Sequence, residues 1–70
     1  MNNVGTLNIS IVTGTGVKTV TVVLSDGRRY EYVNAGTGIV QNLSITGGNI
    51  SAAIKAYDYY GNLVYSGNVS

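Results

Sequence analysis

The sequence predicts a small all-β domain, an antiparallel sandwich of about six strands. Three observations support this class: β-branched residues are abundant, apolar residues alternate with polar ones, and ten glycines divide the chain into short segments. Alternation with a period of two places one side of a segment against a core and the other side in solvent. Residues 51–56 are the one stretch that could suggest a helix, yet Ile50, Ala52, Ile54 and Ala56 alternate there too, so a strand is predicted.

The strands are delimited by the alternation and by the glycine-rich turns that interrupt it. Predicted strands cover residues 5–13, 17–24, 28–33, 39–45, 50–57 and 63–69. The side chains expected to face the core are Leu7, Ile9, Ile11, Val20, Val22, Leu24, Tyr30, Tyr32, Ile39, Leu43, Ile45, Leu63, Tyr65 and Val69.

The register of the second hairpin follows from burial. A two-residue turn would pair Val22 with Glu31 and bring a charge onto the apolar face. A three-residue turn at 25–27 pairs Val22 with Tyr30 instead, and Gly27 suits the left-handed residue that ends such turns. Because a one-residue slip turns every side chain to the opposite face, the three-residue turn is predicted.

Length and composition limit how this domain can be stabilised. Its 70 residues form a single domain, residues 1–70, and a chain this short is marginally stable without further help. There is no Cys and no His, and the three carboxylates are Asp26, Glu31 and Asp58, so disulfides are excluded and neither a metal nor a cofactor is expected. Oligomerisation, as a homo-oligomer or within a larger assembly, is the expected source of stability.

The charge pattern argues against two classes of partner. The net charge is +1 and charged residues make up 10% of the chain, so no basic patch for nucleic acid is expected. No run of about 20 apolar residues is present, so no membrane span is expected, and residues 1–5 do not resemble a signal peptide. A surface of Asn, Thr, Ser and Gly is associated with extracellular and virion proteins, which is the localisation expected here.

Three motifs follow one another within residues 17–67. Residues 20–27 form a strand with a polar turn, residues 43–48 a strand that exits through two glycines, and residues 54–62 a hairpin with the sequence IKAYDYYGN. In this order they resemble fibronectin type III and related immunoglobulin-like modules, in which they would correspond to the C–C′ strands, the E strand and the F–G hairpin. The resemblance implies an immunoglobulin-like sandwich and no particular activity.

The chain departs from the family pattern at two points. Ile50 stands where the tyrosine corner is usual, and too few residues precede Val17 for both an A and a B strand. With residues 7–13 as strand B, strand A is absent and strand B lies at a sheet edge. Residues 1–16 have no Pro and no charged side chain to discourage pairing at that edge. Edge-strand assembly is therefore predicted through Leu7, Asn8, Ile9, Ser10 and Ile11. The alternatives are that Asn3 to Gly5 folds back, or that the short strand is simply tolerated.

Catalysis finds no support in the sequence. Acid–base chemistry would depend on Asp26, Glu31, Asp58, a Lys or a Tyr. Asp26 and Asp58 lie in predicted turns, where Asp caps its own backbone, and Glu31 faces solvent. Because no nucleophile with a partner base is recognisable, the protein is not expected to be an enzyme.

The tyrosines suggest a binding tip. The chain has six Tyr and neither Trp nor Phe, and Tyr57, Tyr59 and Tyr60 cluster at the hairpin before the last strand. Exposed Tyr gives contact area at a low entropic cost, as in antibody loops. A tip that binds protein or glycan is one interpretation, and β-propensity with loop packing is the other.

Four N-x-S sequons begin at Asn8, Asn42, Asn49 and Asn68, where composition gives roughly one or two. The predicted strands place three of these Asn outward and Asn49 in a turn, so glycans would not disturb the core. The alternative is that Asn and Ser are only the outward polar residues of strands.

Two functions fit these observations. The first is a non-enzymatic structural subunit of an extracellular or virion assembly, such as a capsid decoration, filament or surface-layer protein, acting through protein–protein contacts. The second is a carbohydrate- or protein-binding module excised from a larger secreted enzyme or adhesin.

Overall fold

The computed structural model describes residues 5–70, which form an all-β domain without a helix. The strands are β1 (Gly5–Val12), β2 (Val17–Leu24), β3 (Arg29–Val33), β4 (Val40–Gly47), β5 (Ala52–Asp58) and β6 (Leu63–Val69). The predicted class and strand number are confirmed, and the strand ends differ from the predicted ones by two residues at most. The first four residues of the predicted domain lie outside the described part.

The six strands form two sheets. A two-stranded sheet pairs β1 with β4, and a four-stranded sheet has the order β3-β2-β5-β6. Every pair of neighbours is antiparallel. The arrangement is compatible with an immunoglobulin-like fold.

The core is one cluster to which both sheets contribute. Val20 and Val22, in the middle of β2, are the most deeply buried large side chains at 1% and 0% exposure. The other buried apolar residues are Ile9, Ile11, Leu24, Ile39, Ile45, Ala52, Ile54 and Ala56. On β1, β2 and β5 the buried residues alternate with more exposed ones, because successive side chains of a strand point to opposite faces.

The β2–β3 hairpin has the predicted register. Val22 lies opposite Tyr30, and the amide of Gly27 donates to the carbonyl of Leu24 at 3.0 Å. Gly27 has a φ of 100°, the left-handed conformation that costs glycine least. Both tyrosines of β3 are partly buried against the core.

Strand β6 differs from its prediction. The register against β5 shifts between Ala56 and Tyr57, so Leu63 lies opposite Tyr57 on the outer face rather than in the core. Leu63 is 53% exposed, and Tyr65, which lies opposite the buried Ala56, is 56% exposed. The predicted burial of these two side chains was wrong, because a bulge turns Leu63 outward and no strand within residues 5–70 covers Tyr65.

One buried polar side chain holds two connections together. Asn34, 7% exposed, follows β3. Its amide nitrogen donates to the carbonyls of Val17 and Thr15 at 2.7 and 3.3 Å. Its carbonyl oxygen accepts from the amides of Gly36 and Gly38 at 2.7 and 2.9 Å. The side chain thereby ties the β1–β2 turn to the β3–β4 loop and satisfies backbone groups that no ladder reaches.

Candidate interaction site

Strand β1 is an open sheet edge. Within residues 5–70 it pairs on one side only, with β4, so the backbone groups of its other side have no strand partner. Ile9 and Ile11 face the core and are buried, while Asn8 and Ser10 face outward and are exposed. The predicted assembly residues Leu7 to Ile11 therefore lie together in the middle of an edge strand, and their use in assembly remains a prediction.

The outer face of the β1–β4 sheet is a ladder of matched uncharged side chains. Asn8 lies opposite Ser44, and Ser10 lies opposite Asn42. The Ser44 hydroxyl donates to the Asn8 side-chain oxygen at 3.0 Å. Two of the sequons thus face each other across the sheet, with the Asn of each opposite the Ser of the other.

This pairing gives the two sequons a structural origin. Cross-strand Asn–Ser and Ser–Asn pairs place polar groups side by side on one face, while the central residues of the sequons, Ile9 and Leu43, face the core. The other two candidate glycosylation sites are exposed at Asn68 on β6 and at Asn49, which has a φ of 53° in the β4–β5 turn. All four side chains are accessible, and glycosylation remains a prediction.

The predicted tyrosine tip lies on the β5–β6 hairpin. Tyr60 is 91% exposed and Tyr59 49%, whereas Tyr57 is partly buried on the outer face of β5. Tyr57 and Tyr59 border a shallow depression on that face, and Tyr60 is not among its lining residues. The structure therefore separates Tyr60 at the turn from the other two.

Asp58 fixes the shape of this turn. Its Oδ1 accepts from the amides of Tyr60 and Asn62 at 2.8 and 2.9 Å, and Gly61 ends the turn with a φ of 87°. Backbone hydrogen bonds, that from Asn62 foremost and then that from Tyr60, hold the pKa of the Asp58 carboxyl below its usual value. The hairpin thus presents its tyrosines from a turn that is hydrogen-bonded internally.

Comparison with protein-family models, with curated proteins and with solved structures found no match.

The acidic groups lie apart. Asp26 forms an ion pair with Arg28 at 2.7 Å and also accepts from the Arg28 backbone amide, and the side-chain hydrogen bond from Arg28 is the main cause of its lowered pKa. Asp58 caps the far hairpin, and Glu31 lies on the outer face of β3. In residues 5–70 no three acidic side chains come together in a metal-binding group. No helix of the described chain could cross a membrane.

Sequence reasoning missed Asn34 and the facing sequons. Asn34 follows a strand and precedes Ala-Gly, a pattern that suggests a loop and gives no sign of burial. The facing sequons had a signal in the two N-x-S triplets themselves. On antiparallel strands such triplets place each Asn opposite the Ser of the other when their central residues are opposite one another, as Ile9 and Leu43 are.

Proposed function

We propose that the protein is a non-enzymatic structural subunit of an extracellular or virion assembly, a capsid decoration, filament or surface-layer protein that acts through protein–protein contacts. The observation that carries the proposal is the open edge of β1, an eight-residue strand without a charged side chain. Long uncharged edges pair readily with other chains, and monomeric proteins block them with Lys, Pro or bulges. None of these occurs in Gly5–Val12.

The size of the domain supports the same proposal. A domain of about 70 residues buries too little surface to be more than marginally stable. Pairing along β1 would supply the hydrogen bonds that the strand lacks on one side. The proposed partners are other protein subunits, and a homo-oligomer is the simplest arrangement.

We further propose that the fold is of the fibronectin type III kind within the immunoglobulin-like class. With β1 and β4 taken as B and E, they share one sheet, and β2, β5 and β6 taken as C, F and G share the other, as in immunoglobulin domains. The strand β3, taken as C′, extends the second sheet beside β2.

Light scattering on the purified chain tests assembly. We expect the mass to rise above the 7.3 kDa monomer as concentration increases. The S10K variant places a lysine on the open edge and should restore the monomer. The V23K variant is the matched control, because Val23 is exposed on β2, a strand that has a neighbour on each side and is not a sheet edge. A monomer at every concentration, or equal behaviour of the two variants, would refute assembly through β1.

A glycan- or protein-binding module is a second candidate, favoured by the exposure of Tyr60 and Tyr59. Its test is binding of the labelled protein to a glycan array. We expect the Y59A/Y60A double variant to lose binding with an unchanged unfolding midpoint, and V33A, an exposed apolar residue elsewhere, to retain it. Binding that survives the double variant would eliminate this candidate.

A further inference from the structure

A groove runs along the open edge of β1 and reaches the inner face of β6. Its volume is about 520 Å³, and its lining includes Ile9 and Ile11 on one side and Tyr65 and Val69 on the other. None of the residues that line it is charged. The groove is therefore an uncharged and mainly apolar channel between the two sheets, with Asn8, Ser10 and Thr13 also in its lining, on the side where β1 ends its sheet.

The groove exists because the two sheets differ in width. Ile54 and Ala56 of β5 are buried beneath the two-stranded sheet, whereas Tyr65, opposite Ala56 on β6, is more than half exposed. On this side the four-stranded sheet is therefore wider than the two-stranded sheet, and β6 extends past β1. In the described chain, no strand lies above the inner face of β6. The uncovered step begins at the unpaired backbone of β1.

The open side of β1 has the length of one ordinary strand. Strands in a sheet lie about 4.8 Å apart, and the eight residues of β1 extend about 27 Å. A second strand added to β1 would lie directly over β6. A single extended segment needs only the width of one strand, whereas a second folded copy would bring a four-stranded sheet along with its edge.

Tyr65 shapes the floor of the groove. Its ring lies over Gly67, where an added Cβ would approach the hydroxyl oxygen to 2.5 Å. The absence of a side chain at Gly67 lets the ring lie flat along the strand. The half-exposed face of the Tyr65 ring therefore offers a broad apolar surface, against which the inward side chains of an added strand would pack.

We propose that this groove binds one extended segment of another polypeptide chain, paired with β1 and covering β6. The segment has apolar side chains at alternate positions and no charge on its inward side, because a strand presents every second side chain to one face and an unpaired charge is costly in an apolar groove. This inference rests on the proposed assembly function and names the form of the contact: strand donation rather than docking of two sheet edges.

The test uses a synthetic peptide of residues 4–13, flanked by lysines for solubility, because this sequence has the required alternation and no charge. The ¹⁵N-labelled protein is titrated with the peptide, and with a scrambled peptide that lacks the alternation. We expect chemical-shift changes and slower hydrogen exchange at the β1 amides, and changes around Tyr65, with the alternating peptide only.

Two variants of β6 locate the binding. Y65E places a carboxylate in the groove and should weaken binding of the peptide about tenfold or more. L63E is the matched control, since Leu63 is equally exposed on the same strand but lies on the outer face opposite Tyr57, and it should bind as the unaltered chain does. Matching unfolding midpoints of the two variants would establish that the difference is local.

The failures are distinguishable. The proposed binding groove would be refuted by any of three results: no peptide binding, binding without a response at the β1 amides, or equal peptide affinity of Y65E and L63E. Concentration-dependent assembly that S10K abolishes and Y65E leaves intact would also overturn the groove while supporting the proposed function. Peptide binding by a chain that stays monomeric alone would support the groove and refute self-assembly.

Discussion

The side-chain amide of Asn34 donates a 2.7 Å hydrogen bond to the carbonyl of Val17. The two residues lie 17 positions apart, one after β3 and the other at the start of β2. The side-chain oxygen of Asn34 accepts hydrogen bonds from the backbone amides of Gly36 and Gly38. One side chain therefore fixes where the β3–β4 crossover leaves the four-stranded sheet, and so helps to determine how the β1–β4 sheet sits over the core.

Replacing Asn34 with alanine should destabilise the domain by about 2 to 3 kcal/mol, because it leaves buried backbone donors and acceptors unpaired. That is a large share of the roughly 4 to 10 kcal/mol expected for a domain of this length. Urea unfolding of N34A measures the loss. N42A is the control, since Asn42 is exposed on β4, and its midpoint should stay near that of the unaltered chain. Equal midpoints for the two variants would contradict the role assigned to Asn34.

Gly38 and Gly36 form a matched pair for testing the same loop. Both have positive φ, 98° and 116°, but a Cβ at Gly38 would lie 2.6 Å from the carbonyl oxygen of Thr13 whereas one at Gly36 meets nothing. Each Ala variant bears the left-handed penalty of about 1 to 2 kcal/mol. G38A also forces the backbone of Thr13 to move, which should add about 1 kcal/mol or more. Thermal or urea unfolding compares them, and an equal loss would mean that the loop relaxes freely.

Much of the fold was predictable because burial alone determines it. Alternation fixed the faces of β1, β2 and β5, and the exclusion of Glu31 from the core fixed the register of the β2–β3 hairpin. Strand β6 was less predictable. A bulge depends on how two paired strands accommodate the turn between them, and the alternation of Leu63 and Tyr65 in the sequence carries no trace of it.

The candidate site was predictable in outline. The alternation indicated a strand over Leu7 to Ile11, and the lack of charged residues and Pro along it indicated a strand open to pairing. The sequence could not indicate the groove, because the groove depends on the relative width of two sheets. Tyr65 illustrates this limit. The alternation of β6 predicts that its side chain points toward the facing sheet, but its burial depends on whether that sheet has a strand above it.

The β5–β6 hairpin should lose stability at acidic pH through Asp58. Backbone donors hold the pKa of this carboxyl below its unfolded value. Its contribution is therefore fully present above an unfolded pKa of about 3.9 and is lost as pH falls through the folded pKa. The D58N variant keeps an oxygen acceptor and cannot ionise, so the stability of the unaltered chain relative to D58N should fall below about pH 4.

Urea unfolding of both proteins between pH 2 and 6, with a ¹³C titration of the carboxyl, measures this dependence. Asp26 and its partner Arg28 are present in both proteins, so their acid dependence cancels in the comparison. Identical acid profiles would show that Asp58 does not gain from its backbone donors.

Tyr32 and Tyr60 should contribute very differently to the free energy of unfolding, because one packs against the core and the other lies on the surface. Tyr32, opposite Val20, packs against the core, and burial raises the pKa of its phenol. Tyr60 is almost fully exposed. We expect Y32A to cost about 2 to 3 kcal/mol of unfolding free energy through lost apolar contact, and Y60A to change it by about 0.5 kcal/mol or less. Denaturant midpoints at fixed pH decide between them. A loss in Y60A comparable to that in Y32A would mean that Tyr60 packs on the domain in solution, and its exposure would then no longer favour a binding tip.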